Sequence, residues 1–163
     1  MKIETLSKGM KMKYALALAL SHHAELLVMD EPTGGLDPLV RKMMMKILKQ
    51  FVENGKNSVL FSTHITSDLE KIADHILFLH RGKIVFDGAL KELQTKYRTV
   101  CGQERYLTQV QDRLVSWEAQ DGSFTGLAET EDCIGLPEQI SVKDASIEEI
   151  MLGVISGKGD AEG

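Results

Sequence analysis

Two adjacent carboxylates, Asp30 and Glu31, close the apolar run Leu26-Leu27-Val28-Met29, and Pro32 follows at once. A short continuous apolar run reads as a buried strand of a parallel sheet. Proline cannot continue a central strand, so the strand is expected to end at the acids. Open α/β sheets bind their ligands beyond the carboxyl ends of strands. Two carboxylates placed there are costly unless a metal, a proton-transfer role or hydrogen bonds justify them. The natural division of labour gives Asp30 a hydrated Mg²⁺ and Glu31 a water, which is the chemistry of nucleotide hydrolysis. The plainer alternative is a strand end carrying two solvated acids.

Two further stretches bear on that chemistry. The segment 57–63 reads as a strand through Val59, Leu60 and Phe61 and finishes in Ser62-Thr63-His64. If the two strands run parallel, His64 lies at the same sheet edge as Asp30 and Glu31. Upstream, Ser7 precedes a helical pattern over 10–22, and Gly9 allows close backbone approach. A helix N-terminus with free N–H groups, a positive dipole end and a hydroxyl is an anion site. Equally, Ser7 simply caps its helix.

The elements that position these residues follow from periodicity and caps. The Ala/Leu alternation of 14–20 is read as a buried helix, because alanine favours helices and is poor in strands. Gly34 and Gly35 make a loop, and Asp37-Pro38 starts a helix over 38–54. Leu39, Met43, Ile47, Leu48 and Phe51 share its apolar face, Met43-Met44-Met45 is pliable core filling, and Gly55 ends it. Thr66 or Ser67 caps a helix over 67–73. Strands over 75–80 and 83–86 flank the hairpin turn Arg81-Gly82, and a short helix spans 90–97. Beyond residue 98 the apolar runs shorten and glycines scatter. There 100–107 can hold strand, 107–118 has weak helical periodicity, and 146–155 is a helix capped by Ser146 with Glu149 in capping-box position. The polar end, 157–163, is expected to fray. The chain thus divides into 1–98 and a small α+β appendage, 99–163.

Composition bounds the rest. With 163 residues, 43% hydrophobic and 26% charged, the chain is a globular protein of one domain or a domain with an appendage. A net charge of -5 argues against a nucleic-acid surface. Cys101 and Cys133 are far apart and suit reduced thiols better than a disulfide. The longest apolar run, 14–20, is far short of the ~20 residues that span a bilayer. The first residues lack the apolar core of a signal peptide, so a cytoplasmic location is expected, with membrane contact through partners.

Taken in order, Leu6-Ser7-Lys8-Gly9-Met10, Leu26 through Pro32, Gly35-Leu36-Asp37 and Ser62-Thr63-His64 resemble the signature motif, Walker B strand, D-loop and switch histidine of the ABC transporter ATPases. The segment containing Ala145-Ser146-Ile147-Glu148-Glu149-Ile150-Met151 resembles the tail of bacterial drug and peptide exporter ATPases. The resemblance implies an α/β fold: a partial P-loop NTPase three-layer fold lacking the phosphate-loop strand, plus the α+β appendage. It implies ATP and Mg²⁺, with Asp30 binding the ion's water shell, Glu31 polarising the attacking water and His64 sensing the γ-phosphate. Ser7 and Gly9 would contact ATP held by a second ATPase subunit in a head-to-tail dimer, and Asp37 would couple the two sites. Membrane-spanning transporter subunits are the other implied partners, on the inner face of the plasma membrane, and no nucleic acid is implied. In one departure, Lys8 and Met10 stand where the family's signature has glycine and glutamine.

No Gly-x-x-x-x-Gly-Lys-Ser/Thr phosphate loop occurs in the sequence. The string 153–159 is one residue short between its glycines, has Gly after the Lys, and follows a helix rather than a strand. The expected function is therefore that of an ATP-hydrolysing transporter subunit, with export as the expected direction, in an N-terminally incomplete chain that is inactive alone. A non-catalytic interaction or regulatory module derived from such an ATPase is the alternative.

Overall fold

The computed structural model describes residues 3–157, and the expected frayed end lies outside them from 158 onward. The chain forms two compact units, Met1–Ile72 and Ala73–Gly163. This division by contacts falls well before residue 98, where the sequence changes character.

In the first unit Ser7 caps α1 (Lys8–Leu20), which leads to β1 (Leu26–Asp30), α2 (Pro38–Val52), β2 (Ser58–Ser62) and α3 (Thr66–Ile72). β1 and β2 pair in parallel, with Asp30 opposite Ser62. The core joins Leu16 of α1, Leu27 of β1, Leu36, and Met44, Met45 and Leu48 of α2, with Val59, Phe61 and Ile72 packed against it. This core corrects two expectations. α1 is not a buried helix: only Leu16 is buried, while Met10, Tyr14 and Leu18 are exposed. β1 is not covered on both faces either, since Leu26 and Val28 are exposed, Val28 at 69%. The physical reason is pleat and helical phase: Leu27, Met29, Val59 and Phe61 point to α1 and α2, and the alternate residues point away from them. On α2 the buried stripe is Met44, Met45 and Leu48, and Leu39 is 78% exposed rather than part of the apolar face.

The second unit opens with the expected hairpin, β3 (His75–His80) and β4 (Lys83–Ala89), turning through Arg81 and Gly82, both at positive φ. α4 (Leu90–Lys96) leads into β5 (Tyr97–Gln103). The stretch 107–118 is not one helix. α5 (Leu107–Val110) stops after one turn, and Leu114 begins β6 (Leu114–Gln120), because pairing with β7 (Ser123–Glu129) overrides the weak local periodicity. With β8 (Ser141–Asp144) these strands form an antiparallel sheet in the order β6-β7-β5-β8. Val100, Leu107, Val110, Leu114, Phe124, Ala128 and Ile140 fill one core. α6 (Ile147–Ser156) packs on β6 and β7, and a Cβ at Gly153 would sit 2.7 Å from both Leu127 Cδ2 and Ser116 Oγ, so only glycine allows this approach. The string 153–159 is thus in part the end of α6, and Lys158-Gly159 lies outside the described residues. Both cysteines are free, and burial pushes the Cys133 thiol above its ordinary pKa.

The capping box at α6 is present as read: Glu149 N–H donates to Ser146 Oγ at 3.2 Å, and Ser146 N–H donates to Glu149 Oε2 at 2.8 Å. Burial alone would raise the Glu149 pKa, but the Ser146 N–H and hydroxyl, with Thr99 and Lys143, lower it below the ordinary range. A carboxyl with a depressed folded-state pKa stabilises the fold above its unfolded pKa, and that contribution is lost as pH falls through the folded value. Ser146→Ala is expected to cost about 1 kcal/mol at neutral pH. Urea unfolding at several pH values checks this: the cost should shrink on acidification below the ordinary glutamate range.

Candidate functional site

The strand-end acids sit where β1 and β2 finish side by side. The Ser62 hydroxyl, set opposite Asp30 by the register, donates to Asp30 Oδ1. The Glu31 N–H reaches both Ser62 Oγ, at 3.2 Å, and the Ser62 carbonyl, at 3.1 Å. At Glu31 the backbone leaves the strand through φ 45°, a left-handed conformation uncommon for a residue with a side chain. The Gly34 N–H donates back to the Glu31 carbonyl at 3.1 Å and closes the turn.

This turn folds the Glu31 side chain toward the end of β2. Its Oε1 accepts from the His64 backbone N–H at 3.1 Å and lies 2.8 Å from His64 Nδ1. A carboxylate only accepts, so Nδ1 carries the hydrogen, and Nε2 is an acceptor in the neutral ring and a donor in the imidazolium. The His64 side chain is 76% exposed, which leaves it open to an incoming group. The second oxygen, Glu31 Oε2, is shut off from solvent and has no hydrogen-bond partner among the described residues. A buried carboxylate oxygen without a donor costs free energy in the folded protein.

The donor set suits Mg²⁺. This ion binds through one or two carboxylates, keeps several waters and takes its remaining ligands from phosphates. Asp30 is exposed, and Ser62 engages one of its oxygens. Among the described residues no group of three His, Cys, Asp or Glu side chains could hold a metal by itself. Asp30 could serve such an ion as one carboxylate, with Ser62 fixing one of its oxygens.

The other predicted residues gather at two helix N-termini. Ser7 Oγ accepts from Met10 N–H at 3.3 Å, so the capping reading holds locally. A Cβ at Gly9 would meet Val40 Cγ1 at 3.6 Å and Leu36 Cδ2 at 3.9 Å, which is ordinary contact. Among the described residues nothing therefore demands glycine there. Asp37 caps α2, its Oδ1 accepting from Leu39 N–H at 3.1 Å and Val40 N–H at 3.0 Å. Lys8 reaches over the loop before α2: a Cβ at Gly35, whose φ is +67°, would lie 2.8 Å from Lys8 Nζ.

Two features were not legible as site residues. Ser62 becomes the hub for Asp30 and Glu31 only through the strand register. Thr33, two residues beyond Glu31, donates to Asp68 of α3 at 2.7 Å, and both are fully buried. The spacing of these two residues carries no signal that they meet.

Comparison with known proteins adds the following. Residues 1–67 match the family model described as "AAA domain, putative AbiEii toxin, Type IV TA system". The chain is 36% identical over 92 residues to the bacitracin transport ATP-binding protein BcrA of Bacillus licheniformis, covering 56% of this chain and 30% of that protein. It is 34% identical over 161 residues to the uncharacterized ABC transporter ATP-binding protein YhaQ of Bacillus subtilis, covering 97% of this chain and 50% of that protein. The chain thus spans half or less of the length of these curated relatives. A solved structure described as "An inward-facing conformation of a putative metal-chelate type ABC transporter" shares the fold over 78% of this chain and 49% of its own, with a TM-score of 0.53 and 20% identity. Among the described residues no helix is long and apolar enough to cross a membrane.

Proposed function

We propose that this chain, a relative of the ATP-binding proteins of ABC transporters, supplies the metal-and-water half of an ATP-hydrolysing site that drives membrane transport. The observation that carries the reading is the Glu31 carboxylate. Its Oε1 is tied to His64 beside Asp30, so that two carboxylates and an imidazole meet at one sheet edge. Bound Mg²⁺ and ATP would supply the phosphoryl group and the charge that holds it. Asp30 would hold the ion's water shell, Glu31 would orient the attacking water and accept its proton, and His64 would stand against the γ-phosphate. Ser7, Gly9 and Asp37, at the ends of α1 and α2, would serve ATP held by a second ATPase subunit in a head-to-tail dimer.

In this reading 1–98 belongs to the nucleotide-binding domain and 99–163 is an accessory segment. The phosphate loop comes from another segment or polypeptide, because no such motif occurs in these 163 residues. Membrane-spanning subunits carry the cargo, and the chain works at the inner face of the plasma membrane. The relative named for bacitracin transport and the exporter-like segment at 145–151 support export of a drug or peptide.

The test is reconstitution with the phosphate-loop polypeptide of the same transporter. ATP hydrolysis is expected in the mixture at more than about tenfold the rate of either component. A stable complex that hydrolyses nothing would overturn the reading and favour an interaction module.

A further inference from the structure

We infer that Asp68 is a positioning residue that holds the Glu31–His64 pair in register through Thr33. This rests on the ATPase reading only for its kinetic consequence, since the contact itself belongs to the fold. Glu31 and His64 lie on separate segments, one leaving β1 and the other leaving β2. Past that pair the same two segments are tied a second time: Thr33, two residues after Glu31, donates to Asp68 Oδ2 at 2.7 Å, and Asp68 comes four residues after His64. Two fixed points make a clamp. With the Thr33–Asp68 bond in place the turn at Glu31 cannot drift from the end of β2. Without it the hydrogen bonds left to the turn among the described residues are Glu31's own and those of the Gly34 and Leu36 N–H groups, which donate to the Glu31 and Thr33 carbonyls.

Asp68 is poorly explained as a purely stabilising residue. Its side chain is 0% exposed, and the cations that offset its charge stand off, Arg41 Nε at 3.9 Å and Lys71 Nζ at 3.7 Å. Asp68 Oδ1 and Arg41 Nε are both buried without hydrogen-bond partners among the described residues. Burying a carboxylate costs more than such distant charges return, so an apolar residue at this place would serve stability at least as well. What an apolar residue cannot do is accept the Thr33 hydroxyl and thereby fix the turn. The arrangement resembles the outer partners of catalytic groups, which touch no substrate and yet set the alignment of those that do.

Thr33→Val keeps the shape and removes the donor, Asp68→Asn keeps an acceptor and removes the charge, and Thr33→Ser restores the hydroxyl. Amide hydrogen exchange on the full chain reads the clamp without nucleotide. Thr33→Val should speed exchange at His64, Gly34 and Leu36 by about tenfold or more while leaving Leu48 of α2 unchanged, and Thr33→Ser should restore protection. In the reconstituted assembly Thr33→Val should lower kcat by about tenfold to a hundredfold, with KM within about twofold, and Asp68→Asn, which keeps the acceptor, should lower it less. The double variant should be no worse than Thr33→Val, because that change has already removed the contact. Unchanged exchange at His64 and Gly34 in Thr33→Val would overturn the inference. So would a loss of protection spread evenly to Leu48, which marks a general stability effect. An assembly of unaltered chains that fails to hydrolyse ATP would sink the ATPase reading, and the exchange result would still decide the clamp.

Discussion

Replacing Glu31 by Gln should lower ATP turnover by the reconstituted assembly by about 10²–10⁴-fold, the range that removal of a positioned general base produces. The substitution is close to isosteric. The Gln carbonyl oxygen can still accept from the His64 N–H and from Nδ1–H, which Glu31 Oε1 now does at 3.1 and 2.8 Å. The turn through Gly34 is a backbone contact and should persist. What is lost is the capacity to take a proton, together with the unpartnered Oε2, which becomes an amide or turns outward. Nucleotide affinity should therefore stay within a few fold of the original while hydrolysis stops. That split separates a catalytic loss from a binding loss. Single-turnover hydrolysis beside equilibrium ATP binding makes the measurement, and undiminished hydrolysis would remove Glu31 from the role proposed for it. His64→Ala tests the other half of the pair. It frees Glu31 Oε1 from the ring but leaves the backbone N–H contact, so its effect should be smaller than that of Glu31→Gln.

The largest stability effect is expected at Leu48. Leu48→Ala should destabilise the chain by about 2–5 kcal/mol, the transfer cost of the lost methyl groups plus that of the cavity left behind. Leu48 is 1% exposed and sits in the core with Leu16, Leu27, Leu36, Met44 and Met45. Met44 and Met45 are unbranched and can relax into part of the space, which favours the lower half of that range. Leu39→Ala, on the same helix but 78% exposed, should change stability by no more than about 0.5 kcal/mol. Chemical denaturation of both variants, followed by circular dichroism, gives the comparison. Equal costs for the two would contradict the packing of α2.

That contrast marks the boundary between what sequence and structure each decide. Leu39 and Leu48 belong to one apolar pattern, and periodicity ranks them equally. Local signals act over a few residues and are legible as such: the Asp37-Pro38 start of α2, the Arg81-Gly82 hairpin and the Ser146/Glu149 capping box all form where read. Asp30, Glu31 and His64 were legible as strand-end residues, because apolar runs that stop at polar groups mark sheet edges, and the parallel pairing of β1 with β2 sets those ends side by side.

Tertiary structure decided everything that depends on which faces meet. The strand register set Ser62 against Asp30. The left-handed turn at Glu31 divided its two oxygens between His64 and a buried position with no partner among the described residues. Packing on one side alone left Leu26, Val28 and Leu60 exposed, and cross-strand pairing made Leu114–Gln120 a strand where local periodicity suggested helix. Thr33 and Asp68, 35 residues apart, met only because β1 and β2 end together. Local propensity is written in each residue's neighbours along the chain, whereas a contact between distant segments exists only once the backbone has brought them together.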